Sequence, residues 1–136
     1  MKSLDAARER IARATDLSEV LDASYRAFAT MLHVIQQEQD RGGPMFAAFM
    51  MAGKPATDGT LALLTAPSLP DSTRFTPVRA AGPSASAEQT ADAVAWLSLI
   101  LACRLDDQAA SADNAEDRDA CVEAARHAWA MHARLN

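Results

Sequence analysis

Apolar residues recur along this chain at the three- and four-residue intervals that place side chains on one face of an α-helix. A thin stripe of Leu4, Ala7, Ile11 and Ala14 predicts a helix over 4–14. A wider face of Leu17, Val20, Leu21, Ala27, Phe28, Met31, Leu32 and Ile35 predicts a core helix over 17–39, with Asp22, Arg26, His33, Gln37 and Asp40 on its wet side. Two more helices are predicted over 87–105 and 114–135. Asp16 with Glu19, Ser86 with Gln89 and Asp113 with Glu116 have capping-box spacing at the three starts, and Gly42-Gly43-Pro44 closes the helix over 17–39.

The stretch 41–85 has no such regularity. Pro44 can open a short Met-rich helix over 45–52, and Gly53 with Pro55 can close it. Asp58-Gly59 reads as a turn, and 60–65 as one further helical turn. Pro67, Pro70, Pro77 and Pro83 then punctuate an irregular loop over 66–85, which is expected to be the least protected segment. No internal repeat and no second domain are visible.

Composition sharpens this into a fold class. The chain has 136 residues, the size of one domain, and 49% of them are hydrophobic. Much of that fraction is alanine, the best helix former, and aromatics are scarce. The expectation is an all-α, single-domain bundle: three long helices, a shorter N-terminal helix, the Met-rich helix and one Pro-containing loop. The alanine and arginine bias, with Lys2 and Lys54 the only lysines, is that of a GC-rich bacterial genome.

Charge narrows the partners. A net charge of −5 argues against nucleic acid, which needs a basic face. No apolar run reaches the length of a membrane span, and residues 1–15 lack the apolar core of a secretory leader. A cytoplasmic protein with Cys103 and Cys121 reduced is therefore expected.

Candidate chemistry is sparse. The acids Asp106, Asp107, Asp113, Glu116, Asp117 and Asp119 read as a solvated helix connection with a helix-dipole partner, not as a metal set. His33 lies on a polar face, and His127 is placed to pair with Glu123 four residues earlier. His132 falls among Cys121, Ala125, Ala128 and Trp129 on the apolar face. Cys121 and His132 are three turns apart and cannot touch within one helix, so both thiols read as inert. Neither a metal nor a cofactor is expected. Tyr25, Met50 and His132 are the side chains available to an apolar small-molecule pocket beneath the Met-rich helix, whether in a binder or in a small tailoring enzyme.

The favoured reading is instead a non-catalytic interaction module that pairs with itself or docks on a protein partner. It rests on the helix over 87–105, which is apolar on two sides. Val94, Leu97, Leu101 and Leu105, continued by Ala87 and Ala91, should face the chain's own core. Trp96, Leu99, Ile100 and Cys103 fall opposite, bounded by Gln89 and Asp92 at one end and Asp106 and Asp107 at the other. A helix apolar on both sides must be covered twice. Either a second copy covers this patch in a twofold dimer, or the 45–52 helix with Leu61–Leu64 folds over Trp96.

Overall fold

A computed structural model of the chain describes residues 2–75 and 85–136. Helices α1 (Lys2–Arg13), α2 (Leu17–Arg41), α3 (Phe46–Leu64), α4 (Ala87–Ser111) and α5 (Ala115–Leu135) form it, with a short 3-10 turn at Asp71–Phe75 and no strand among the described residues. The all-α bundle expected from the periodicity is what forms.

The helix starts follow local chemistry. Asp16 accepts from the Glu19 N–H at 2.8 Å. Ser86 and Gln89 make a complete capping box, each side chain taking the other's backbone N–H. At α5 the cap is Asn114 and not Asp113: its Oδ1 accepts from the N–H groups of Glu116 and Asp117. A neutral amide one residue further on does what the carboxylate was expected to do. Helix α4 also outruns its expected end, so Asp106 and Asp107 lie on the helix and not in a connection.

The largest departure from expectation is α3. It does not stop at Gly53 and Pro55 but continues for nineteen residues to Leu64, absorbing Asp58-Gly59 and most of the separate turn expected over 60–65. An interior proline costs a helix about 3 kcal/mol, yet here the local damage is contained. Pro55 leaves the Met51 carbonyl without its helical donor, and Met51 lies on the exposed side, where water can serve it. The Thr57 hydroxyl donates to the Gly53 carbonyl at 3.2 Å. Lys54 pairs with Asp58 one turn on, at 2.8 Å. What drives the continuation is burial: Phe49, Ala52, Ala56, Gly59 and Leu63 form one inward stripe crossing the proline without a break. The stripe is narrow enough for α3 to lie close on α2. A Cβ on Gly59 would stand 2.4–2.6 Å from ring carbons of Phe28, itself fully buried.

Helices α2, α3, α5 and α4 occupy the corners of a four-helix bundle in that cyclic order. The diagonal pairs α2/α5 and α3/α4 touch at most marginally, and α1 packs along α2 and α4. Hydrogen bonds fix the directions. At the base, Thr73 donates to Asp22 near the start of α2, Ser68 to Asp117 near the start of α5, and Arg104 near the end of α4 to the Ala14 carbonyl. At the top, Arg41 at the end of α2 donates to the Ala85 carbonyl just before α4. Helices α2 and α5 therefore run up, while α3, α4 and α1 run down. Every neighbouring pair within the bundle is antiparallel, and one long connection returns the chain from base to top.

The first half of the irregular loop expected over 66–85 is pinned to the bundle at several points. Ala66, Leu69 and Thr73 are buried. Asp117 is buried too, accepting from the Ser68 N–H at 3.0 Å and its hydroxyl at 2.6 Å. Residues 76–84, which carry Pro77 and Pro83, lie outside the described residues. At the upper end Arg41 holds both oxygens of buried Glu38, at 2.9 and 3.2 Å, together with Ala85.

The Gly59–Phe28 approach gives a direct test. Gly59→Ala adds helix propensity worth roughly 1 kcal/mol, but it forces a methyl into an immobile ring. Net destabilisation of about 1–3 kcal/mol is expected by urea denaturation, and the penalty should shrink in a Phe28→Leu background. A more stable Gly59→Ala protein would refute the close approach.

Candidate functional site

The inward side of α4 is as expected: Val94, Leu97, Leu101 and Leu105 are essentially inaccessible. The opposite side lies open. Trp96 is 54% exposed, Cys103 is exposed, and Leu99 and Ile100 are half-buried. The internal cover considered above does not form. Helix α3 packs on α2 and α5, diagonal to α4, so neither Met45–Ala52 nor Leu61–Leu64 reaches Trp96.

Helix α1 shapes the edge of this face. Ile11 and Ala12 form the far wall of an apolar cleft of about 460 Å³, whose near wall is Trp96, Leu99, Ile100, Cys103, Arg104 and Asp107. Arg104 is the only cation among the described residues that line it, held by a 2.9 Å bond from Nη2 to the Ala14 carbonyl. On the α5 flank stands Trp129, 40% exposed, where the sequence placed it on the inner face. Its indole Nε1 donates to Asp106 Oδ2 at 3.0 Å, so the ring lies against the outward side of α4. The apolar face thus crosses three helices, from Ile11 through Trp96 and Leu99 to Trp129. The α5 contribution was not read from the sequence; a tryptophan one helix away from a lone Asp carries no periodic signal.

His132 braces that tryptophan. Its ring stands edge-on to Trp129, with centroids 6.3 Å apart, and Nδ1 lies 2.9 Å from the Ala95 carbonyl. It is half-buried between α4 and α5 and does not sit at the centre of an apolar face. The other two candidate pocket residues lie elsewhere. Tyr25 is half-buried against the core on α2, and Met50 is 54% exposed on the outer side of α3. The apolar cleft includes none of the three.

A second groove, about 580 Å³, lies where α1, α2 and the 3-10 turn meet. Its charges largely engage one another. Arg26 grips Asp22 through two 3.1 Å bonds, Asp22 also accepts from Thr73 at 2.6 Å, and Arg13 lies 3.5 Å from Glu9.

The remaining candidates behave as structural groups. Glu123 pairs with Arg126 and not with His127. His127 instead faces Asp58 on α3, whose carboxyl is held below its usual range by the Lys54 hydrogen bond first, with the charges of Lys54 and His127 adding to it. Among the described residues no group of three or more His, Cys, Asp or Glu side chains is arranged to hold a metal ion, and no helix is long and apolar enough to cross a membrane. No family model matches the chain, and neither a curated protein nor a solved structure resembles it.

The two thiols differ sharply. Burial pushes Cys121 up from 9.0 to about 11, with the charge of Asp117 adding to it. Between those values the unfolded chain releases this proton while the folded chain keeps it, so stability falls as pH rises through that window. The loss should reach roughly 2 kcal/mol by its upper end. The slope of unfolding free energy against pH, measured from pH 8 to 11, should be steeper for wild type than for Cys121→Ala; parallel slopes would contradict the assignment. In the folded protein at neutral pH, a thiol reagent should modify Cys103 and leave Cys121 untouched until the chain unfolds.

Proposed function

We propose that this chain is a small helical interaction module that acts by pairing with a second copy of itself through the outward face of α4. One observation carries the reading: the apolar cleft between α1 and the outward side of α4, with Trp96 54% exposed on its wall and Trp129 40% exposed on the neighbouring helix. Exposed large apolar groups gathered in one patch mark interaction sites, and tryptophan is enriched at their energetic centres.

The edges of the patch favour a second copy as the occupant. A twofold interface must be complementary to itself, each residue meeting the partner of its own symmetry mate. This face carries charges of both signs, Arg104 with Asp107 on the α1 flank and Asp106 on the α5 flank, around an apolar middle. A polar rim around an apolar centre is the usual anatomy of such contacts.

The test is concentration-dependent sedimentation of the purified protein. Wild type should show a monomer–dimer equilibrium, and dimerisation should slow alkylation of Cys103 as concentration rises. Leu99→Glu puts a carboxylate in the middle of the patch and should sediment as a monomer with the helical circular dichroism of wild type. A wild type that stays monomeric up to hundreds of micromolar would end the proposal, as would a Leu99→Glu chain that unfolds at every concentration.

A further inference from the structure

Helix α1 is fastened unlike the other four. Its ion pairs, Asp5 with Arg8 and Glu9 with Arg13, lie within the helix and tie it to nothing else. Among the described residues no side chain of α1 makes a hydrogen bond or ion pair to another element. The nearest polar link lies just past its end, where Arg104 on α4 donates to the Ala14 carbonyl at 2.9 Å. The other helices bond to one another directly: α5 to α4 through Trp129 and Asp106, α2 to α3 through Gln39 and the Phe49 carbonyl, and α4 to α2 through Ser98 and Met31.

Open space also undercuts α1 on both sides. The groove of about 580 Å³ lies between it and the start of α2, and reaches Ala6, Glu9, Arg10 and Arg13. The cleft of about 460 Å³ lies between it and α4, and reaches Ile11 and Ala12. What seats α1 is the stripe between them: Leu4, Ala7, Ile11 and Ala14, all buried. Two of the four are alanines, with little surface to bury. A helix of twelve residues does not hold its shape in water without such a seat, so an α1 that leaves the stripe also unfolds.

Resting on the self-pairing reading above, we infer that α1 is a strap that opens separately from the bundle, turning on the Arg104–Ala14 link, and that the second copy holds it shut. Ile11 and Ala12 are the far wall of the cleft that carries that reading. A partner covering the cleft therefore meets a complete surface when α1 is seated and half of one when it is not. Binding that prefers one state raises the population of that state. The coupling is reciprocal, so a strap that is harder to seat gives a weaker dimer.

Hydrogen exchange read along the full chain tests this. In the Leu99→Glu monomer, and in wild type diluted below its dimerisation range, amides of α1 should exchange roughly a hundredfold faster than those of α2 and α4. In wild type, α1 exchange should slow as concentration carries the chain from monomer to dimer; in Leu99→Glu it should not. Leu4→Ala trims a buried side chain outside the cleft. It should speed α1 exchange, leave α2 to α5 helical by circular dichroism, and weaken the dimer roughly tenfold by sedimentation. If α1 exchanges in step with α2 and α4, or if Leu4→Ala unfolds the whole chain, α1 is an integral part of the bundle and the inference is overturned. If wild type dimerises while α1 exchange ignores concentration, the inference falls and self-pairing stands. If wild type never pairs, self-pairing and the closing of the strap fall together.

Discussion

The bundle depends on how closely α3 lies on α2. Gly59 has no side chain where Phe28 has a ring, and that absence lets a helix interrupted by proline press its whole length against its neighbour. With α3 so placed, its other side falls to α5, and it lies diagonal to α4. The outward face of α4 is open because this contact is made elsewhere.

What could be read from the sequence followed the strength of local signals. The cap of α2 by Asp16, the full box of Ser86 with Gln89, and the two-sided apolar pattern of α4 are properties of a few neighbouring residues, and each is present in the structure. Helix α3 failed for the opposite reason. Gly53, Pro55 and Asp58-Gly59 are all local stop signals, and the middle of the stripe that overrides them is Ala52, Ala56 and Gly59, which leave little hydrophobic contrast. Its value appears only once Phe28 of another helix is opposite. The face on α4 was legible as a patch, but its shape was not. Ile11, Ala12 and Trp129 come from elements distant in the chain, and only packing brings them to the same surface.

Buried and half-buried acids do much of the tertiary fastening. Asp22, Asp117 and Glu38 each hold a donor from the connection or its anchor: the Thr73 hydroxyl, the Ser68 N–H and hydroxyl, and the Arg41 that also takes the Ala85 carbonyl. Asp117 sits in the first turn of α5, where the backbone dipole favours negative charge. Glu38 sits near a helix end, where it does not, and it is served there by an arginine at both oxygens. An acidic cluster that reads as a solvated surface run thus contains, in Asp117, a group whose two bonds reach across 49 residues of chain.

The long base-to-top connection also divides the molecule in time. Helices α2 and α3 are joined by a tight turn and α4 and α5 by another, so each pair can form from contacts between near neighbours in sequence. Bringing α3 against α5 and α2 against α4 requires closing a span of about twenty residues first, whose entropy cost comes before those contacts repay it. Two quickly formed hairpins followed by a slower docking step is the order of events this topology imposes on the chain.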